Sequence, residues 1–172
     1  MKLDFGCGKN KREGFTGVDI MKFDGVDVVM DAGNDPWPWE DNSIEEAHAS
    51  HFLEHLKANE RIHFVNELYR VLQPGAKATI ITPHWASCRA YGDLTHQWPP
   101  VCEFWFYYLS PEWRAVNAPH NDFYTCDFEA SWGYSLSPAA NGMSQERLQF
   151  AMANYKEFVT DMNATIIKKI KT

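Results

Sequence analysis

Two glycines one residue apart, Gly6 and Gly8, follow directly on the apolar run Lys2–Phe5 and are the first place where this chain could do chemistry. A Gly-x-Gly turn at the end of a strand lets backbone approach a ligand closely, because no Cβ stands in the way. Asp19 closes the next apolar run, Phe15–Ile20. A carboxylate there could accept both hydroxyls of a ribose lying across the carboxyl edge of a parallel sheet. Asp31 follows a third short run, Val26–Met30, where a side-chain acceptor followed by backbone could hold an adenine amino group while Trp37 or Trp39 covers the ring face. Taken singly, each has a plain structural reading: Asp4 and Asp31 as turn or cap residues, the glycines as a tight turn, Asp19 as a surface acid. Their order at successive strand ends favours a site.

A second constellation competes with the first. His51-Phe52-Leu53-Glu54-His55 reads H-x-x-E-H, the spacing of the inverted zinc peptidases, in which two histidines hold zinc and the glutamate activates water. Zinc needs a third protein ligand, and the sequence marks none of the downstream acids as that ligand. A zinc hydrolase through His51, Glu54 and His55 is therefore a remote alternative, and no metal is expected.

These residues need a frame. Strands are expected at Lys2–Phe5, Phe15–Ile20 and Val26–Met30, then at Glu45–Ser50 and Lys77–Thr82. Asp35-Pro36-Trp37-Pro38-Trp39 must be loop, since two prolines so close break both kinds of ladder. Ile62, Val65, Leu68, Tyr69 and Leu72 recur at helical spacing from Asn59 and stop at Pro74-Gly75. Strands alternating with helices indicate a parallel sheet. Beyond Pro83 the pattern turns to Gly, Pro, Trp and Tyr, as in a long functional loop. Strands at Thr125–Leu136 and Ala164–Ile170 and a helix at Ser144–Met162, capped by Ser144, complete the reading.

With these pieces in place the sequence resembles the class I S-adenosylmethionine-dependent methyltransferase family. The likeness rests on Leu3-Asp4-Phe5-Gly6-Cys7-Gly8, Gly17-Val18-Asp19-Ile20, Asp41-Asn42-Ser43-Ile44, Leu53-Glu54-His55 and Arg70-Val71-Leu72-Gln73-Pro74-Gly75, in matching order and spacing. It covers roughly Lys2 to Pro83. It implies an α/β, Rossmann-like methyltransferase fold, with a mostly parallel seven-stranded sheet, one reversed edge strand and helices on both faces. The chain reads as a single domain over 1–172, with a cofactor-binding half at 1–83 and a substrate loop, strands and helix at 84–172. The implied cofactor is S-adenosylmethionine, with S-adenosylhomocysteine as product. Asp4, Gly6 and Gly8 would surround its methionine part, Asp19 with Ile20 its ribose, and Asp31 with Ala32 its adenine, while Ser50 and His51 would border the sulfonium. One departure is visible: only Cys7–Gly14 separates the first two strands, whereas a parallel crossover needs about a dozen residues or more. The first helix must be cut to a turn or missing.

Acceptors are expected at the carboxyl edge after the fifth strand, beside Trp85, Tyr91, Asp93 and Trp98. Methyl displacement from a sulfonium needs mostly positioning, and a base only where the acceptor must lose a proton. His51, His84 and His96 are the catalytic candidates. Each has a plain alternative as a loop hydrogen-bonder, as Asp93 has in local loop bonds and Tyr91 in packing. The acceptor would be a small molecule, glycan or peptide. The second reading is a non-catalytic S-adenosylmethionine-binding or protein-interaction module.

Composition narrows the partners. Lys and Arg total 16 against 23 Asp and Glu, a formal charge of −7 that disfavours loose binding to nucleic acid. The clusters Lys9/Lys11/Arg12 and Lys168/Lys169/Lys171 read as solvated surface. Cys7, Cys88, Cys102 and Cys126 form no C-x-x-C pair, so reduced thiols are expected. Without a leader or a long apolar run, no membrane association and a cytoplasmic location are the expectation. The aromatic stretch Trp85–Trp113 is core first, with a pocket wall or subunit contact as alternatives, and self-association or a partner over the open cofactor site stays open.

Overall fold

The structure is a computed structural model that describes residues 1–170, so Lys171 of the second basic cluster lies outside the described residues. The strands are β1 (Lys2–Phe5), β2 (Thr16–Asp19), β3 (Val28–Val29), β4 (Ile44–Ser50), β5 (Leu72–Pro83), β6 (Phe128–Leu136) and β7 (Val159–Lys168). The helices are α1 (Ala58–Val71), α2 (Glu103–Tyr107), α3 (Pro111–Asn117) and α4 (Gln145–Asn154). One seven-stranded sheet runs in the order β3-β2-β1-β4-β5-β7-β6, with β7 antiparallel to both of its neighbours. The order reverses direction between β1 and β4, and a ligand crevice is expected outside the carboxyl ends at that point.

The helices do not flank the sheet evenly. Leu3, Phe5, Ala47, Ala49, Ala78, Ile80, Ala164 and Ile166 form the core with Phe64, Val65, Leu68 and Val71 of α1 and Phe106 of α2. Across the other face run Lys2, Glu46, His48, Lys77, Thr79, Thr165 and Ser131, none of them buried. Lys2 and Lys77 both pair with Glu46 there, at 2.7 and 3.5 Å. The cause is the first crossover. The steps β1 to β2 and β4 to β5 cross the sheet in opposite directions, so right-handed connections would lie on opposite faces. The β4-to-β5 link carries α1, while no helix stands between β1 and β2.

Instead, side chains brace the short link. Asp4 accepts from the Arg12 amide at 2.7 Å and meets His48 Nδ1 at 2.7 Å. Asp27 accepts from the Gly17 amide at 2.7 Å and pairs with Lys11.

Other elements shift from the expected bounds. The helix expected at Ser144–Met162 ends at Asn154, and Val159–Met162 belong to β7, which also starts earlier than Ala164. Apolar residues continue through this stretch, but Glu157 takes a φ of 60°, which an α-helix does not allow, and from Val159 the burial alternates at strand period. Ser144 is the cap as expected, its Oγ accepting from the Arg147 amide at 3.4 Å. The strand expected from Thr125 begins at Phe128. Lys168 is no solvated cation: it is buried, and its ammonium donates to the Tyr69 and Leu72 carbonyls at 2.6 and 2.8 Å, where α1 ends. A cation suits the negative end of a helix dipole. The four cysteines are unpaired thiols. Among the described residues no helix is long and apolar enough to cross a membrane.

Candidate functional site

A cleft of about 580 Å³ opens at the reversal point of the sheet. It is lined by Gly6, Asp19, Ile20, Met30, Asp31, Ala32, His51 and Phe52. Gly6 has a φ of 64°, and a Cβ added to it would stand 2.7 Å from the Phe52 ring. Glycine is therefore required both by conformation and by the close approach of Phe52.

Asp19, at the end of β2, is held from both sides. The Gly8 amide donates to Oδ2 and the Met21 amide to Oδ1, each at 2.9 Å. Each oxygen keeps a further lone pair, and the residue lines the cleft. Asp31 closes its own turn by accepting from the Gly33 amide and the Asn34 side chain at 3.0 and 2.9 Å. Ala32 accepts the Trp37 indole N–H at 3.1 Å. Trp37 is thus buried against Phe5 at 4.5 Å between ring centroids, and neither it nor Trp39 lines the cleft. The apolar cover comes from Ile20, Met30 and Leu56.

His51 has a φ of 52° and lines the cleft, its Nδ1 lying 3.2 Å from Glu54 Oε1. That contact raises the imidazole above its ordinary value, against the opposing effect of burial. Ser50, one residue earlier, does not line the cleft. Asp4 is spent on Arg12 and His48, so its role is to shape the loop that carries Gly6 and Gly8.

His84, Trp85 and the helical Glu103 form a separate depression of about 350 Å³ with Tyr134. His84 Nε2 stands 2.9 Å from Glu103 Oε1, its Nδ1 accepts from the Ala86 amide at 3.2 Å, and Tyr134 donates to Glu103 at 2.9 Å. Burial alone would raise Glu103, but these hydrogen bonds outweigh it and hold the carboxyl down at about 2. Both nitrogens of His84 are engaged. Tyr91, Asp93 and Trp98 line neither this depression nor the cleft. The four aromatic and acidic residues expected around an acceptor are therefore not brought together.

The H-x-x-E-H stretch does not form the helical turn that a zinc peptidase uses. His51 ends the strand region, Leu53–His55 make a 3-10 turn, and α1 starts only at Ala58. His96 instead approaches His55, with ring centroids 4.7 Å apart. Sequence reasoning missed His55, Leu56, Lys57 and Glu60 as cleft residues. Their signal was position: they lead into the helix that follows β4 at the carboxyl edge.

The fold is similar to that of solved S-adenosylmethionine-dependent methyltransferases. Residues 11–80 match the family model described as "Methyltransferase domain". A S-adenosylmethionine-dependent methyltransferase from Archaeoglobus fulgidus aligns at TM-score 0.65 and 22% identity, over 98% of this chain and 85% of that one. A second, from Methanosarcina mazei, aligns at TM-score 0.59 and 16% identity, over 99% and 92%. A Burkholderia thailandensis 1,6-didemethyltoxoflavin-N1-methyltransferase aligns at TM-score 0.58 and 13% identity, over 98% and 71%; that structure holds its substrate and S-adenosylhomocysteine. No curated protein sequence matches the chain significantly.

Proposed function

We propose that the chain binds S-adenosylmethionine in the cleft between Gly6, Asp19 and His51 and transfers its methyl group to a small-molecule, glycan or peptide acceptor. The observation that carries this reading is Asp19: two amides fix its carboxylate at the end of β2, and both oxygens retain capacity for a ribose diol. The residues fit the cofactor at three further points. Gly6 leaves its backbone bare in the cleft, Met30 and Leu56 add apolar lining with Asp31 and Ala32, and His51 lines it as well. Gly8 contributes by holding Asp19.

Bound there, the cofactor supplies an electrophilic methyl on a sulfonium with a good leaving group. The chain's own contribution is position. Asp19 fixes the ribose, Asp31 with Ala32 meets the adenine, and Ser50 and His51 mark the strand end where the sulfonium would lie. Of the three candidate histidines His51 is the one that lines the cleft, which supports it over His84 and His96 as the residue to touch an acceptor. Holding the two reactants in line accounts for much of the acceleration such a displacement needs.

A second reading, a binding or interaction module without turnover, is favoured by one observation: Ile20 and Met21 at the rim are 64% and 59% exposed, so the cleft is open. One experiment separates the two. Calorimetric titration with S-adenosylmethionine, followed by an assay for S-adenosylhomocysteine release across hydroxyl, amine and thiol acceptors, should show saturable binding and turnover. Binding without turnover on any acceptor would favour the module, and absence of binding would remove methyl transfer and leave only a protein-interaction module.

A further inference from the structure

Behind the cleft, three side chains from two segments meet. Glu54, His55 and His96 each bring one possible metal-ligating atom to within 4.8 Å of the other two. The sequence offered two of these and no third; the fold supplies the third from the loop after β5. Arg61 does the positioning. It is buried, and its guanidinium donates to the Leu53, Pro99 and Gln97 carbonyls at 3.0, 2.6 and 3.2 Å, while the Gln97 amide donates to Glu54 O at 2.8 Å. The 93–99 segment is thereby tied to the 3-10 turn.

The hydrogen bonds around the two imidazoles also decide which nitrogen is free. A carboxylate can only accept, so the Thr95 hydroxyl gives its single proton to Asp93 Oδ1 at 2.7 Å. Thr95 Oγ1 then accepts from His55 Nδ1 at 3.0 Å, which puts the proton of the neutral ring on Nδ1 and the lone pair on Nε2. His96 Nδ1 faces the Ala90 carbonyl at 3.3 Å, and the same reasoning leaves its Nε2 with the lone pair. A carbonyl or carboxylate that fixes the other ring nitrogen is the usual support of a metal-binding histidine. Glu54 is 2% exposed, and among the described residues its oxygens have only the 3.2 Å contact to His51 and a 3.3 Å hydroxyl bond from Thr82. A buried carboxylate with such long bonds retains acceptor capacity.

We propose that Glu54, His55 and His96 bind one divalent first-row transition-metal ion. Two imidazoles and a carboxylate suit zinc, cobalt, nickel or ferrous iron better than magnesium or calcium. Three protein ligands leave a coordination position open, and His55 also lines the cleft, so an acceptor oxygen or nitrogen can reach that position. This last use rests on the methyl-transfer reading; ion binding itself does not.

The test starts from chelator-stripped protein. Zn²⁺ is titrated calorimetrically, visible absorption is recorded with Co²⁺, and Mg²⁺ serves as the control. One equivalent of Zn²⁺ should bind, without competition from Mg²⁺. His55→Ala and His96→Ala should each weaken binding beyond about 100-fold, and Thr95→Val, which only frees the ring, by about 10–100-fold. His51→Ala should weaken it less than either ligand substitution. Metal-free circular dichroism and melting of each variant check the fold, and His96→Gln replaces His96→Ala if the latter unfolds. Zinc binding in the His96 variant equal to the parent, or loss in His51→Ala with retention in the His96 variant, would overturn the site. S-adenosylmethionine titrated into the same protein separates the two readings. Cofactor binding without zinc overturns the metal site alone, and zinc binding without the cofactor supports the site while removing its place in methyl transfer.

Discussion

The carboxyl ends of β2 and β5 hold the same kind of material, a polar side chain at the last strand residue or the one after it, and use it in opposite ways. At β2, Asp19 takes one amide on each oxygen and keeps the rest of its accepting capacity toward the cleft. At β5, His84 gives both nitrogens to Glu103 and the Ala86 amide, and Glu103 takes Tyr134 and the Trp85 indole as well. A perturbed acid in a depression is a usual pointer to function. Here the perturbed acid belongs to a network that satisfies itself, while the unspent one faces the cavity.

The difference can be broken from either end. Asp19→Ala should produce the largest effect. Removing two hydrogen bonds to a charged group costs about 3 kcal/mol or more, on the order of 100-fold in affinity for S-adenosylmethionine and S-adenosylhomocysteine by calorimetry. Unchanged affinity would remove the ribose assignment. Gly6→Ala should lower stability by about 2–3 kcal/mol in denaturant unfolding, from the left-handed backbone and the clash with Phe52. A stable variant that binds as before would show that the turn is looser than described. His84→Ala leaves Glu103 short of a partner and should cost about 1–3 kcal/mol of stability, with cofactor affinity within threefold of the parent. A large loss of cofactor affinity there would join the two regions into one site.

Acid sharpens the same contrast. Glu103 is depressed from 4.5 to about 2, so its contribution to stability is complete above pH 4.5 and is lost as pH falls toward 2. Urea midpoints followed from pH 5 to pH 2 should fall less steeply in Glu103→Gln than in the parent. Equal slopes would mean that the pair contributes nothing. The smallest effect belongs to Ser144→Ala, about 0.5–1 kcal/mol from the lost cap of α4, with cofactor binding unchanged.

What could be read from the sequence was local. Gly6, Gly8 and Asp19 stand out because strand ends are punctuated within a few residues, and the shortened link before β2 was visible as plain chain length. Interactions between distant segments were not visible. Trp37 looks like a ring cover until its indole N–H finds Ala32 O and its face finds Phe5, because a loop's composition does not say which side turns inward. The approach of His96 to His55 depends on Arg61 gathering three carbonyls, two of them from the loop after β5. Helix α4 reads too long because its apolar periodicity runs into β7 across Glu157, whose backbone conformation the sequence does not announce.

The uncovered sheet face makes the β1–β2 link a graft point. A right-handed insertion between Cys7 and Gly14 would be delivered onto Lys2, Glu46, His48 and Lys77, away from α1 and the apolar core, so a helix with a basic and acidic inner stripe could be spliced there. The architecture is thus extensible by one layer: a longer version of this chain would gain its third stratum without rebuilding the first two.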